Sequence, residues 1–268
     1  MGFPASALTE AIEANILDHA RAVAAHAPGV ELHDEPDLLW TSSSIAHPYL
    51  NRVYIAQFPG DDADRRIAAI LTYFESRGLP LSWHVGPLSR PEDLGSRLGE
   101  RGLTRVEDET GMALDLAALP RDQAMPVGLD IERITDVQSL RSWVEVVTSS
   151  FGCPARVASA LHNVHEAAGF GQETPWQLCL GSMEGEPVGT SRVFFGGKVA
   201  GVYHVATRPE ARRQGVGKAM TSYALRDAQE LGYELAVLRA AQRALGIYLQ
   251  LGFREYCTFS RYVKGTTR

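Results

Sequence analysis

The residues best suited to chemistry are the six from Arg212 to Gly217, Arg-Arg-Gln-Gly-Val-Gly. They follow an apolar run, VAGVYHVA, and open a helical pattern, GKAMTSYALRDAQELG. A strand that feeds a glycine-rich turn into a helix builds an anion site. Successive backbone N–H groups converge there, the helix N-terminus adds partial positive charge, and small residues let a bulky diphosphate approach the main chain. Neither a dinucleotide-binding GxGxxG nor a P-loop fits, because the glycine spacing differs and Lys218-Ala219 stands where a P-loop carries Lys followed by Ser or Thr. A plain structural turn is the alternative reading of these six residues. Further on, Tyr248 and the run LQLGF end another helical pattern and lead into another strand.

The elements needed to position such a turn can be read around it. Residues 129–133 form a strand pattern, and 136–151 a helix in which Val137, Leu140, Val144 and Val147 recur at helical spacing. A second helix covers about 155–168. WQLCLGSMEG, PVGTSRVFFGG and KVAGVYHVAT then predict three consecutive antiparallel strands. After the turn come a helix to Leu231, a strand over 233–239, a helix over 242–251 and a last strand over 253–263.

Taken together, the pieces resemble the GCN5-related N-acetyltransferase (GNAT) family, whose signature Q/RxxGxG/A is met by Arg212, Gly215 and Gly217. The resemblance covers roughly residues 129–263. It implies a mixed α/β sheet and a turn, Arg212 to Ala219 including Arg213, Gln214, Val216 and Lys218, that holds the pyrophosphate of acetyl-CoA. The preceding strand, with Val205, Ala206 and Thr207, would lie along the pantetheine arm, and no metal is implied.

The first half echoes the later part of that order, as a degenerate internal duplication would. VYIAQFPG resembles VYHVATRPE; a helix over 62–77 ends at Gly78; LSWHVG matches LAVLRA; a helix over 91–101 ends in LGERGL, and LTRVEDETGMALDL closes the set. The chemistry does not recur. Gly60-Asp61-Asp62-Ala63-Asp64 replaces the phosphate turn with carboxylates, which suit a helix start but repel an anion, and Leu98 replaces the tyrosine. Coincidental α/β similarity is the rival explanation. The chain therefore reads as a tandem fold: a degenerate domain over 1–120, a proline-containing linker over 121–128, and a catalytic domain over 129–268.

Acetyl transfer to an amine needs a neutral nucleophile, a polarised thioester carbonyl and a proton for the leaving thiolate. Tyr248 occupies the family position for the last of these and Val205 N–H for the second; a packing aromatic is the alternative for Tyr248. Ala241 stands where family members often carry Asn or Ser, a departure that removes one side-chain contact to the cofactor unless Arg243 compensates. For the base, the strand offers His204, with a structural histidine as the alternative; strand alternation places it opposite Tyr203 and Val205. Cys257 and Glu145 are weaker candidates. His162 and His165 lie three apart on a helix, a spacing that suits a substrate-lining or solvent-facing helix better than a metal site, and His165 and Glu166 have a claim to substrate contact.

Composition agrees with a soluble enzyme. The chain has 268 residues, 45% hydrophobic and 22% charged, with a net charge of −6 that disfavours a basic nucleic-acid surface. Cys153, Cys179 and Cys257 are too few and too scattered for a disulfide framework, which suits a reducing cytoplasm, and no apolar run reaches the length of a membrane span. The expected activity is direct acetyl transfer from acetyl-CoA to a primary amine of a small molecule or peptide, in a ternary complex. A non-catalytic acyl-CoA sensor and a cofactor-free interaction scaffold are the alternatives.

Overall fold

The computed structural model describes residues 4–120, 124–171 and 173–265. Residues 121–123 of the expected linker, and the chain ends 1–3 and 266–268, lie outside the described residues. The first half runs α1 (Ala5–His26), β1 (Val30–Glu35), β2 (Leu38–Ser43), β3 (Arg52–Ala56), α2 (Ala63–Glu75), β4 (Leu81–Val85), α3 (Leu94–Glu100) and β5 (Thr104–Asp115). The second begins β6 (Leu129–Arg133), α4 (Val137–Phe151), α5 (Ala155–Ala168), β7 (Trp176–Met183), β8 (Glu186–Gly196) and β9 (Val199–Thr207). It ends α6 (Val216–Glu230), β10 (Leu235–Ala241), α7 (Leu245–Gln250) and β11 (Arg254–Lys264).

Local sequence explains most of these boundaries. The side chain of Asp136 caps α4 by accepting from Ser139 N–H, Gly152 ends the helix at φ 67°, and Leu140, Trp143, Val144 and Val147 bury one stripe of it. The helix expected over 242–251 divides into a 3₁₀ turn, Gln242–Ala244, followed by the short α7. Residues 5–52, for which the motifs predict nothing, supply α1 and the outer strands; α1 buries Leu8, Ile12, Ile16 and Ala20, a four-residue repeat along one face.

All eleven strands form one mixed sheet in the order β1-β2-β3-β4-β11-β5-β10-β9-β8-β7-β6. Inward from one edge, β1-β2-β3-β4-β11 has the same arrangement as β7-β8-β9-β10-β5 from the other side. Each half therefore gives its closing strand to the other. The exchange is held by a long antiparallel ladder between β5 and β11, from Arg254↔Ala113 to Val263↔Thr104, with a register shift between Glu255 and Cys257.

Gly111 sits at that shift. A Cβ there would lie 2.5 Å from Cys257 Sγ, 3.0 Å from the Phe259 ring and 3.4 Å from Ile12, so β5, β11 and α1 close together only over a bare backbone. Gly111→Val is expected to destabilise the fold by about 1–3 kcal/mol, the usual cost of overpacking a filled core. Urea unfolding measures this; an unchanged midpoint would show that the junction is looser than its contacts imply.

Helix α1 belongs to the first half by sequence but lies across β9 of the second. Asn15 Nδ2 donates to Val199 O at 3.3 Å, and Tyr203 OH donates to Asn15 Oδ1 at 2.8 Å. A Cβ on Gly201 would run into the Asn15 side chain, so this glycine admits the helix.

Candidate active site

The site begins where two strands part. β9 and β10 pair in parallel only from Leu235↔Val199 to Val237↔Gly201, whereas β10 stays paired with β5 from Leu235↔Asp115 to Ala241↔Glu109. Beyond Gly201, β9 follows β8 and a gap opens between residues 202–207 and 238–241. A bulge shapes its wall. Arg192 pairs with Tyr203 and Thr190 with Ala206, so His204 and Val205 together oppose Ser191; His204 takes φ 48°, and Thr190 Oγ1 donates to its carbonyl at 2.8 Å.

That bulge corrects the alternation expected from sequence. Tyr203 and His204 share one face of the sheet: His19 stacks on Tyr203 at 4.2 Å, and Trp143 lies 5.4 Å from His204. Val205 points to the opposite face, into the cluster that contains Tyr248, Ile247 and Ala240. The extra residue in the strand offsets the period-two pattern by one.

At the mouth of the gap, on the Val205 face, lies the glycine-rich turn. Arg213 (φ 62°) and Gly215 (φ 86°) adopt left-handed conformations, and α6 starts at Val216. The first α6 amide with an acceptor is Ala219 N–H, which donates to Gly215 O at 3.0 Å. Among the described residues no acceptor takes the N–H groups of residues 213–218. Arg212 Nε donates to Thr207 O at 3.1 Å and ties the turn to the end of β9. Gly217 has an ordinary helical backbone, and a Cβ there would meet only Thr207 Oγ1 at 3.5 Å, Ile247 at 3.6 Å and Val205 at 4.0 Å. Without a side chain at Gly217, the main chain at the start of α6 is left open to close approach.

Tyr248, on α7, is 8% exposed and packs edge-on against Phe253 at 5.9 Å. Desolvation pushes its hydroxyl up to about 12, which keeps it protonated throughout the physiological range.

On the other face, both halves meet around His204. Tyr49, from the loop before β3, has its hydroxyl 2.6 Å from His204 Nε2, and His204 Nδ1 is buried without a partner. Burial, and then Arg192, push His204 well below its ordinary value, so it is a neutral hydrogen-bond partner for Tyr49 and a weak base. Arg192 is 2% exposed; its terminal nitrogens contact His165 Nε2 at 3.1 Å and His19 Nε2, and its Nε is buried and unpartnered.

Other sequence candidates lie elsewhere. His165 is buried against Arg192 and is not available to line a cleft, while Glu166 pairs with His162 at 3.5 Å. Glu145 pairs with Arg208 at 2.8 Å. The Cys257 thiol is pushed up to about 11 by burial beneath α1. Arg243 is exposed. All three cysteines are free, and among the described residues no group of three or more potential metal ligands converges and no helix is long and apolar enough to cross a membrane.

Sequence reasoning missed Asn15, His19, Tyr49, Arg52 and Arg192. One signal was present for Arg192, an arginine inside the otherwise apolar PVGTSRVFFGG. Nothing local marks the others, because the strand exchange and the path of α1 bring them in.

The equivalent features of the first half are closed. β3 and β4 pair only at Arg52↔Ser82 and Val53↔Trp83, but residues 86–90 fill the gap beyond: Arg90 N–H donates to Ala56 O at 2.8 Å and Phe58 N–H to Arg90 O at 3.2 Å. At the start of α2, the Asp62 and Ala63 amides both donate to Pro59 O. Asp62 pairs with Arg65, Asp64 with Arg97 and Arg101, and Leu98 is fully buried.

Residues 175–255 match the family model described as an acetyltransferase (GNAT) domain. A GCN5-related N-acetyltransferase from Kribbella flavida is similar over 95% of this chain and 96% of its own, with TM-score 0.73 and 20% identity. One from Sphaerobacter thermophilus is similar over 85% and 80%, with TM-score 0.65 and 16% identity. A tandem GNAT protein from the clavulanic acid biosynthesis pathway is similar over 90% and 86%, with TM-score 0.56 and 16% identity. No curated protein matches the sequence. Residues 175–255 thus match a GNAT domain, and the mixed α/β fold is shared with these structures, a tandem GNAT protein among them. By class the chain is an acyltransferase.

Proposed function

We propose that the protein transfers an acetyl group from acetyl-CoA directly to a primary amine of a small molecule or peptide, in a ternary complex. The observation that carries this reading is the run of unclaimed N–H groups at residues 213–218, set at the mouth of the gap between β9 and β10. Such a turn suits a diphosphate, and the gap beside Val205, Ala206 and Thr207 suits an extended thioester arm. The first half, over about residues 1–120, acts as a fold-only copy that walls the acceptor side. A reducing cytoplasm is the compartment that best suits three free cysteines.

In this reading the amine first loses a proton to solvent. Its nitrogen attacks the thioester carbonyl carbon, whose oxygen is held by Val205 N–H; the C–N bond forms and the C–S bond breaks. The sulfur takes the Tyr248 proton, the nitrogen releases its second proton to solvent, and Tyr248 is reprotonated from water. His204 orients Tyr49 at the acceptor side, since its lowered basicity makes it a poor store for a proton.

Tyr248→Phe is expected to lower kcat by about ten-fold or more while leaving the Kd for CoA unchanged, within the range of general-acid contributions. Steady-state thiol release and calorimetry read the two separately. Weakened CoA binding with kcat preserved would make Tyr248 a binding residue. Acetylated product from an amine panel tests the activity itself, and CoA binding without product would favour a sensor.

A further inference from the structure

The side chains around Tyr49 carry an excess of positive charge that the protein does not neutralise. Arg52 and Tyr54 alternate with Val53 on β3 and face α1, away from the core under α2 that buries Val53. The Arg52 guanidinium carbon lies 5.1 Å from the Tyr49 ring centre and 5.6 Å from that of Tyr54. Its Nε approaches Ser82 Oγ at 3.4 Å; among the described residues its two terminal nitrogens have no hydrogen-bond acceptor, and they are not buried. Arg156, at the start of α5, reaches the same loop and donates to Ala46 O at 3.3 Å. Arg192 lies buried beneath, beside His165 and His19.

Among the described residues none of these three arginines has a carboxylate within ion-pair distance. This occurs in a chain whose 32 acidic residues outnumber its 26 lysines and arginines. Arg239, on the same face, differs: it is engaged by Glu109 at 3.4 Å and His84 at 2.8 Å. A buried or half-buried guanidinium without a counter-ion is costly, and a planar fork of N–H donors matches a carboxylate or phosphate. The cluster lies across the sheet from Tyr248 and the glycine-rich turn: Tyr49 contacts both Arg52 and His204, and the bulge carries the chain from His204 on this face to Val205, whose N–H is proposed to hold the thioester oxygen.

We infer that the acceptor amine carries an anionic oxyacid group, a carboxylate as in an amino acid, which docks on Arg52 in the cleft walled by both halves. Arg52 is then a specificity residue supplied by the degenerate copy, and Arg156 and the buried Arg192 hold the potential of the cleft positive. This rests on the acetyl-transfer reading, so the experiment separates the two. Wild type and Arg52→Gln are given amino acids, their amides, amino alcohols and the matching aminoalkyl phosphates. Thiol release gives kcat/KM, and melting temperatures in the presence of CoA report binding independently of turnover.

Wild type is expected to favour the acids over their amides by about ten-fold or more, mainly through KM, and Arg52→Gln to shrink that ratio to within about two-fold. The ratio is insensitive to any general loss of folded variant, and Arg52→Lys should retain part of it. A phosphate preference that Arg52→Gln removes keeps the anionic docking and changes the acid. Transfer to amides as good as to acids overturns the inference and leaves acetyl transfer standing. If no amine is acetylated, acetyl transfer fails, and the melting temperatures still decide: amino acids that stabilise wild type and not Arg52→Gln sustain the inference, and equal effects overturn it.

Discussion

Gly217→Glu is expected to weaken CoA binding by at least about a hundred-fold, about 2.7 kcal/mol, while leaving the fold intact. The protein itself tolerates a side chain here, since a Cβ would make only van der Waals contacts with Thr207, Ile247 and Val205. Those three residues frame the mouth of the gap, so the new carboxylate would stand where the diphosphate is proposed to lie. Two like charges about 4 Å apart repel by about 4 kcal/mol at the effective dielectric of a protein surface. Calorimetry measures the affinity and circular dichroism the fold; Gly217→Ala, which adds no charge, should lose far less. Undiminished affinity in Gly217→Glu would remove the turn from the binding site.

The second large effect is on stability. His19, His84, His165 and His204 are all pushed well below their ordinary values, first by burial and then by arginines, Arg192 for three of them and Arg239 for His84. A histidine with a depressed native pKa binds fewer protons folded than unfolded once the pH drops below about 6.5, so its contribution to stability is lost on acidification. Each such group costs up to about 1.4 kcal/mol per pH unit. Glu13 works in the opposite direction. Desolvation raises it to about 7, so between its unfolded and folded values the native state holds the extra proton and gains stability as the pH falls.

Four histidines against one carboxyl leave the histidines to set the sign, so stability falls as the pH drops below about 6.5. Melting curves from about pH 7.5 to about pH 5 should therefore show a steep fall in Tm, well before the surface carboxylates titrate. A flat Tm over that range would mean that these imidazoles are not held neutral.

How much of this was legible in the sequence depended on whether the signal was local. The turn at Arg212 to Gly217, the capped α4 and the antiparallel run β7 to β9 are set by residues close together in the chain, and they form at the expected places. The face of His204 was misread because a bulge has no composition of its own: Thr190 Oγ1, from the neighbouring strand, holds the His204 carbonyl in the irregular conformation. The exchange of β5 and β11 was invisible, because the residue pattern of a closing strand does not say which copy of a duplicated frame it pairs with. With it went Tyr49, Arg52 and the α1 residues Asn15 and His19, which reach the cleft only through that exchange and the crossing of α1. The closure of the first half was half legible: its aspartates marked the repelled anion, but residues 86–90 filling the gap required the structure.

The proposed acetyl transfer requires that the free amides of residues 213–218 bind the diphosphate of CoA. A crystal structure with CoA at saturating concentration tests this directly. The diphosphate oxygens should lie about 2.7–3.2 Å from several of those nitrogens, with the pantetheine arm entering the gap past Val205. A diphosphate bound elsewhere, with these amides still facing solvent, would contradict it.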